Sequence, residues 1–170
     1  MGVEDHKKAA RDVGTLVAAM LTVSDTRTAD TDESGRIAME LIRQAGHEVG
    51  HYAIVRNEPL EVRTEVLRLV AEGRVDFIIT SGGTGVSPRD QTIEALRPLF
   101  QKELEGFGEL FRLLSFQEVG TAALLSRATA GTLGRAVLFC LPGSKAAVRL
   151  AVERLILPEI RHLIAQHRKA

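Results

Sequence analysis

The sequence predicts an α/β fold built on an open, mostly parallel sheet. Two apolar runs, rich in β-branched residues, and one weakly alternating segment are bounded by turn residues. They are too short for helices and suit buried strands. Segments with apolar residues at helical spacing follow each of them. Strands separated by helices pair in parallel through right-handed crossovers, which gives the order strand, helix, strand, helix, strand, helix.

The elements follow one another closely along the first hundred residues. A helix is expected after Gly35, and Asn57 is expected to cap the next helix, which ends near Gly73. Thr92 is expected to cap a third helix. The predicted strands are 15–23, 48–55 and 75–80, and the helices cover about 37–45, 58–72 and 93–99.

The second half of the chain is less regular. Gly106 and Gly108 predict a break before a short helix, and residues 122–126 suit a helical turn. Residues 127–132 and 135–141 predict a small antiparallel hairpin at the edge of the sheet. A last long helix is predicted from about residue 145, and Pro158 is expected to break or kink it.

Length and composition limit the class of protein. A chain of 170 residues suits one domain, predicted at 15–170, with an N-terminal arm at 1–14. The 22 basic and 22 acidic residues balance, which argues against nucleic acid or an anionic membrane as partner. The single cysteine, Cys140, excludes an internal disulfide and suits a buried, inert thiol. No secretory signal or membrane-length apolar stretch is evident, so we expect a cytoplasmic protein.

A glycine-rich turn follows the third strand and is the strongest functional signal. The segment Ser81-Gly82-Gly83-Thr84-Gly85 precedes Arg89, Asp90 and a predicted helix. Glycines let backbone N–H groups approach a ligand, and such a turn before a helix can bind an anion. The alternative is a tight turn with glycines for geometry alone. The segment lacks the third glycine of the dinucleotide pattern, and the chain contains no P-loop.

Two other loops are predicted to join this turn at one edge of the sheet. Residues 24–34 follow the first strand and residues 142–144 follow a later one, and ligands of open sheets bind beyond such strand ends. The glycine turn can bind phosphate through amides and hydroxyls. The nearby carboxylates can hold magnesium or accept a hydrogen bond from an N–H group, or they can simply cap turns. These carboxylates are Asp25, Asp30, Asp32 and Asp90.

Several motifs in one order resemble a known family. They are Leu21-Thr22-Val23-Ser24-Asp25, Asp32-x-Ser34-Gly35, the glycine turn with Arg89-Asp90, Gly106-Phe107-Gly108-Glu109, Leu125-Ser126-Arg127 and Leu141-Pro142-Gly143-Ser144. Together they resemble the molybdopterin-binding proteins of molybdenum-cofactor biosynthesis, the MoaB/Mog family, over residues 15–159. The run from Phe107 to Ser126 is closer to the B branch.

The resemblance implies a three-layer α/β/α fold, a homotrimer or homohexamer, and contact with other proteins of that pathway. It implies binding of molybdopterin and, in the adenylyltransferase branch, its adenylylation with MgATP. Asp25 and Asp90 are then expected to be catalytic, Asp90 also to bind metal, and Asn57, Gly82 and Gly83 to contact nucleotide. The residues expected to contact molybdopterin are Ser24, Ser34, Ser81, Gly82, Gly83, Thr84, Gly85, Glu109, Pro142, Gly143 and Ser144.

One departure from the family pattern divides the functional hypotheses. Adenylylating members carry Pro-Asp-Glu after the second strand, where this chain has Arg56-Asn57-Glu58. A neutral asparagine is a weaker magnesium ligand than aspartate. The hypotheses are therefore a molybdopterin adenylyltransferase, a molybdopterin carrier without turnover, or an oligomeric structural protein whose glycine turn binds nothing.

Overall fold

The computed structural model describes residues 13–169. The predicted arm at 1–14 therefore lies almost wholly outside the described residues. The strands are β1 (Val17–Val23), β2 (Glu48–Val55), β3 (Phe77–Ser81), β4 (Lys102–Glu103), β5 (Thr129–Leu133) and β6 (Ala136–Leu141). The helices are α1 (Glu33–Gln44), α2 (Pro59–Glu72), α3 (Thr92–Leu96), α4 (Glu105–Val119), α5 (Lys145–Ala151) and α6 (Leu157–His167).

The strands form one sheet in the order β2-β1-β3-β6-β5-β4. β1 pairs in parallel with β2 and β3, and β3 pairs in parallel with β6. β5 runs antiparallel to β6, and the two-residue β4 runs antiparallel to β5. The predicted open, mostly parallel sheet with an antiparallel hairpin at its edge is confirmed.

Both faces of the sheet are covered by helices. Along β1, Ala18 and Met20 pack into a core with helices α1, α4, α5 and α6. Ala19 and Leu21 point to the opposite face and pack with α2 and α3. Alternate side chains of a strand point to opposite faces, so burial on both sides explains the continuous apolar runs in the sequence. The result is the expected three-layer α/β/α fold.

Two glycines that were expected to break the chain lie inside a helix. α4 begins at Glu105, so Gly106 and Gly108 belong to its first turn and the prediction of a break is wrong. A Cβ atom on Gly108 would lie 2.8 Å from the carbonyl oxygen of Ala128. Gly108 therefore lets the helix lie against the start of β5, a contact between residues far apart in the sequence.

The chain also remains helical through Pro158. A π-helical turn at Val152–Ile156 joins α5 to α6, and Pro158 lies in the first turn of α6. The Leu157 amide donates to the Val152 carbonyl across this wide turn, and Pro158 follows it within the continuous helix. The prediction that Pro158 breaks the helix is therefore wrong. Within residues 13–169, no helix combines the length and the apolar character that crossing a bilayer requires.

The cysteine lies in the centre of the sheet. Cys140 is fully buried on β6, and burial raises the pKa of its thiol to about 12. A thiol that stays protonated at neutral pH is a poor nucleophile and a poor metal ligand. The prediction of a buried cysteine is confirmed, and Cys140 contributes packing to the face of the sheet that α2 covers.

Candidate functional site

The glycine turn lies where three neighbouring strands end. β1, β3 and β6 are adjacent and parallel, so the chain leaves the same edge of the sheet after Val23, Ser81 and Leu141. The Gly82 amide donates a hydrogen bond to the Leu141 carbonyl at 2.9 Å. A Cβ atom on Gly143 would lie 3.3 Å from the Gly82 Cα. The structure therefore brings the three loops into backbone contact.

Two glycines of the turn have backbone conformations that other residues rarely adopt. The φ angle is 109° at Gly82 and 66° at Gly83. A Cβ atom on Gly82 would lie 2.3 Å from the carbonyl oxygen of Val23, which belongs to the backbone and cannot rotate away. Only glycine combines a positive φ with so close an approach. At Gly82 and Gly83 the turn consequently has no side chains, so it is a bare main-chain turn at the edge of the sheet.

Two polar side chains lie against Gly83. A Cβ atom there would be 2.3 Å from Thr92 Oγ1 and 2.7 Å from Asn57 Oδ1. The sequence predicted that Thr92 and Asn57 cap helices, which is wrong for both. The N-caps are Glu58 and Gln91, and neither makes a side-chain capping bond. Asn57 and Thr92 instead supply oxygen atoms beside the glycine turn.

Two hydroxyl groups near the turn are buried without a partner. Within residues 13–169, neither Ser81 Oγ nor Thr92 Oγ1 has a hydrogen-bond partner. Each residue is 1% exposed. A buried polar atom without a partner is uncommon, because it costs about 1–3 kcal/mol. Two such atoms next to one bare turn indicate a place where a polar ligand completes the hydrogen bonding.

The helix after the turn is shorter than predicted. α3 has five residues and continues as a 3-10 turn at Arg97–Leu99. Five residues give little helix dipole, so the expected contribution of a helix N-terminus to anion binding is absent. The Thr92 amide is already used, because it donates to the Gly83 carbonyl at 2.9 Å. Loop amides and hydroxyls remain as donors, including the buried Thr84.

Asp90 places a carboxylate directly against the turn. A Cβ atom on Gly85 would lie 2.6 Å from Asp90 Oδ2. Within residues 13–169, the Asp90 carboxylate has neither a hydrogen bond nor a salt bridge. The Asp90 amide donates to the Ser87 carbonyl at 2.9 Å, which fixes the backbone at this position. A half-buried carboxylate with open acceptor sites suits a ligand N–H group or a metal ion.

Ser24 and Asp25 have partners within the protein. Asp25 accepts a hydrogen bond from the Asn57 amide at 3.0 Å and pairs with the Arg89 guanidinium at 3.0 Å. Ser24 Oγ accepts from the amide of Arg27 at 3.1 Å and stabilises its own loop. Asp25 thus ties the loops after β1, β2 and β3 together. Both of its oxygens are occupied, which favours positioning over proton transfer.

The Asp32-x-Ser34-Gly35 motif forms a buried network behind the site. Asp32 is the N-cap of α1 and accepts hydrogen bonds from the Gly35 amide at 3.0 Å, Thr22 Oγ1 at 2.6 Å and Tyr52 Oη at 2.7 Å. Burial and the bond to Asp32 raise the pKa of Tyr52 above its usual value. Ser34 Oγ donates to the Gly143 carbonyl at 2.8 Å, which links this network to the third loop.

The loop after β6 flanks the glycine turn on the side opposite to the loop after β1. Ser144 is the N-cap of α5, and its Oγ accepts from the Ala147 amide at 3.2 Å. Pro142 and Gly143 are half-buried between Ser144 and the end of the strand. Pro142, Gly143 and Ser144, which are among the residues expected to contact molybdopterin, therefore lie beside the glycine turn. The Ser144 hydroxyl is used to cap α5.

Glu109 lies apart from these loops. It is exposed on α4 and lines a cleft of 190 Å³ together with Arg97 and Arg112. A second cleft of 240 Å³ shares those arginines and includes Arg127. The assignment of Glu109 to substrate binding stays a prediction, and the geometry places it with the arginines rather than with the glycine turn.

Three residues that the sequence did not single out as site residues contact or flank the turn. Arg89 pairs with Asp25, Thr92 Oγ1 lies against Gly83, and Arg127 Nη1 donates to the Gly85 carbonyl at 2.9 Å. Arg89 and Arg127 belong to motifs noted in the sequence, and Thr92 was expected only to cap a helix. No local pattern reveals which of its polar atoms reaches the turn, because the contact joins distant parts of the chain.

The fold and the site together define a class of protein. It is an open-sheet α/β protein that presents a bare main-chain turn and a carboxylate beyond its strand ends. Ligands of open parallel sheets bind in this position.

Comparison with known proteins identifies the family. The family model described as "Probable molybdopterin binding domain" matches residues 19–162. Molybdenum cofactor biosynthesis protein B of Staphylococcus aureus (strain MRSA252) is 52% identical over 167 residues, 96% of this chain and 97% of that protein. The protein of the same name from Bacillus subtilis (strain 168) is 45% identical over 170 residues, 99% of each chain. A crystal structure of molybdenum cofactor biosynthesis protein B superposes with a TM-score of 0.89 at 46% identity, covering 92% of this chain and 98% of that chain.

The chain therefore belongs to the molybdopterin-binding domain family. The resemblance seen in the sequence is confirmed, including its closeness to the B branch, because the relatives above carry that name.

Proposed function

We propose that this protein acts in molybdenum-cofactor biosynthesis, binds molybdopterin at the glycine turn, and adenylylates it with MgATP. One observation carries the proposal. Among residues 13–169, the buried hydroxyls of Ser81 and Thr92 have no hydrogen-bond partner and lie at a bare turn, which also contacts the Asp90 carboxylate. That set offers donors for a phosphate and an acceptor for an N–H edge. Molybdopterin carries both groups.

The proposed roles follow from the donor and acceptor atoms present. The amides of Gly83–Gly85 and the Ser81 hydroxyl hold the terminal phosphate of molybdopterin, since both are hydrogen-bond donors, whereas the Gly82 amide is already bonded to the Leu141 carbonyl. Asp90, which can only accept when ionised, orients the pterin or assists the metal. Asp25 acts by fixing the loops on either side, through its bonds to Asn57 and Arg89.

The proposed reaction is a nucleotidyl transfer. An oxygen of the molybdopterin phosphate forms a bond to the α-phosphorus of ATP. The bond from that phosphorus to the bridging oxygen breaks, and pyrophosphate leaves. Such a transfer depends mainly on positioning and on neutralising charge. Main-chain amides at a rigid turn supply both without reorganising during the reaction.

The residues present fit magnesium only as part of a complex with nucleotide. Within residues 13–169, no three Asp, Glu, His or Cys side chains gather into a metal site. Mg²⁺ commonly binds to one or two carboxylates together with substrate phosphates, and Asp90 can provide one carboxylate. The ion would neutralise phosphate charge. Asn57 Oδ1, close to Gly83, is a neutral oxygen at the position where the resemblance to the adenylylating branch implies aspartate.

A second candidate function is a molybdopterin carrier without turnover, and Asn57 motivates it. A neutral amide contributes less than a carboxylate to magnesium binding. We expect the Asn57→Asp variant to show at least as much adenylylation as wild type. Adenylylation by the Asn57→Asp variant where wild type shows none would favour the carrier function for the natural chain, and a fully active wild type would count against it.

The test is an assay with purified protein, molybdopterin, MgCl₂ and ATP. Pyrophosphate and adenylylated molybdopterin are measured, and binding of molybdopterin and of ATP is titrated separately. We expect wild type to bind both and to release pyrophosphate. Binding of molybdopterin without turnover would leave the carrier function. Failure to bind molybdopterin would refute both the adenylyltransferase and the carrier function, and would favour a structural protein whose glycine turn binds nothing.

We also propose that the protein forms a homo-oligomer, a trimer or a hexamer, through α4. Four apolar residues of α4 are more than half exposed at a spacing of three and form the α4 apolar stripe: Leu110, Leu113, Phe116 and Val119. Leu124 and Leu125 extend the exposed apolar surface. A contiguous apolar surface of this kind is typical of a subunit interface. Phe111, on the same helix, is buried in the core and does not belong to the stripe.

The Phe116→Glu variant is expected to dissociate the oligomer, because it places a charge in an apolar interface. Light scattering after size-exclusion chromatography measures the mass. Leu60→Glu is the matched control, since Leu60 is 75% exposed on α2, away from the stripe. A wild type that is monomeric at micromolar concentration would contradict the proposal.

We propose that residues 15–170 form one domain preceded by an arm at 1–14. We place the reaction in the cytoplasm, where ATP is available, with other proteins of the pathway supplying molybdopterin and receiving the product.

A further inference from the structure

We propose that Arg127 is a positioning residue that fixes the conformation of the glycine turn. This inference rests on the proposed function of the turn and adds a residue to it. Arg127 lies between the 3-10 turn Gly120–Leu125 and β5, and its side chain is 31% exposed. Its guanidinium reaches two other elements, the glycine turn and α3, that are distant from it in the sequence.

The contacts of Arg127 bridge the turn and the helix that follows it. Nη1 donates to the Gly85 carbonyl at 2.9 Å, and Nη2 is bonded to Glu94 Oε1. Glu94 lies in the first turn of α3. Hydrogen bonds with one charged partner are stronger than neutral ones, and a planar guanidinium holds two acceptors in a fixed relative position. Arg127 therefore sets the distance between the two ends of the segment from Gly85 to Glu94.

The bond to Gly85 determines the orientation of one peptide group. In a trans peptide the carbonyl oxygen and the following N–H point in opposite directions, and the described chain contains no cis peptide. When the Gly85 carbonyl faces Arg127, the Val86 amide faces away from it. A Cβ atom on Gly85 would lie 2.6 Å from Asp90 Oδ2. Arg127 thus holds Gly85 on one side while Asp90 lies on another.

Glycine is the residue that most needs such an external contact. It has no side chain to limit φ and ψ, so a turn with three glycines loses more conformational freedom on ordering than other turns. A turn that is already ordered binds its ligand more tightly, because the ligand does not have to order it. We therefore expect Arg127 to increase affinity and turnover without touching the ligand.

Arg97 offers a matched control in the same cleft. Arg97 and Arg127 both line the cavity of 240 Å³ beside α3. Arg97 Nε donates to Glu103 Oε1 at 2.9 Å, an ion pair of the same kind as Arg127 with Glu94. Its hydrogen-bonded partner belongs to β4 and not to the glycine turn, and it acts on Glu94 through its charge alone. Removing Arg97 therefore removes an arginine–glutamate pair while leaving Gly85 in place.

The experiment compares wild type with Arg127→Met, Arg127→Lys and Arg97→Met. Three quantities are measured: hydrogen exchange of the amides at 82–86 without ligand, the Kd for molybdopterin, and kcat against KM with MgATP. Arg127→Met is expected to raise exchange in the turn and to weaken molybdopterin binding about tenfold, as for loss of a charge-assisted hydrogen bond. Arg97→Met is expected to change neither by more than about twofold. Arg127→Lys is expected to be intermediate, because an ammonium keeps the charge but cannot bridge both partners.

Equal effects of Arg127→Met and Arg97→Met, or unchanged exchange in the turn, would overturn the inference. If Arg127→Met fails to fold, the lysine variant decides, and wild-type exchange in that variant would also overturn it. The proposed function fails separately: a wild type that does not bind molybdopterin refutes that function, whereas the hydrogen-exchange measurement still tests the role of Arg127.

Discussion

Replacing Gly82 by alanine is expected to abolish measurable molybdopterin binding, with a loss of roughly 100-fold or more in affinity. A residue with a side chain at a φ of 109° is strained; positive φ costs about 1–2 kcal/mol. The added Cβ would also lie 2.3 Å from the Val23 carbonyl oxygen, so one of the two backbones has to move. A misplacement of about 1 Å can lower a catalysed rate about 100-fold, and we expect a comparable loss of affinity because the same turn has to meet the phosphate.

The matched control for this prediction is Gly106→Ala. Gly106 lies in the first turn of α4, and a Cβ atom there would have no heavy atom within 4 Å. Alanine is favoured over glycine in a helix by about 1 kcal/mol, so this variant should be at least as stable as wild type and bind normally. The Kd is measured by fluorescence titration. Undiminished binding by Gly82→Ala would mean that molybdopterin does not use this turn.

The Asp32→Ala variant is expected to lose about 3–5 kcal/mol of stability. Asp32 is 1% exposed and accepts hydrogen bonds from three groups. Loss of an N-cap costs about 1 kcal/mol. The buried Thr22 hydroxyl would be left without a partner, which costs about 1–3 kcal/mol, and the half-buried Tyr52 hydroxyl would also lose its acceptor. The free energy of unfolding is measured by urea denaturation at pH 7.

Asp30→Ala is the control for the stability prediction. Asp30 belongs to the same loop but is exposed, so its side chain should contribute no more than about 0.5 kcal/mol. A difference below 1 kcal/mol between Asp32→Ala and wild type would show that the buried network contributes little. The same result would remove our explanation of why the family motif joins Asp32, Ser34 and Gly35 in one segment.

The positions of the three loops could be predicted from the sequence, because alternating strands and helices imply parallel strands, and the carboxyl ends of parallel strands lie at one edge of the sheet. Pattern alone placed 24–34, 81–90 and 142–144 at one edge, and Gly82 lies in contact with both neighbouring loops. The antiparallel hairpin of β5 and β6 could also be predicted, because the residues that form its turn are close together in the sequence.

The contacts made across the chain could not be predicted. Asn57 and Thr92 have side chains that commonly cap helices, and only the backbone shows that their oxygens face Gly83 instead. Gly108 looked like a helix breaker because its reason for being glycine, the Ala128 carbonyl, lies 20 positions away along the sequence. Arg127 gave no local signal for the same reason.

The central claim is that molybdopterin binds at the glycine turn beyond the ends of β1, β3 and β6. Hydrogen exchange measured by mass spectrometry, with and without saturating molybdopterin, tests it most directly. Our account predicts protection concentrated in residues 81–90, with smaller protection at 23–26 and 142–146. Another cavity, of about 510 Å³, lies between the edge strand β2 and α2 and is lined by Ala53, Leu60 and Thr64. Protection confined to peptides from that groove, with unchanged exchange at 81–90, would contradict the account.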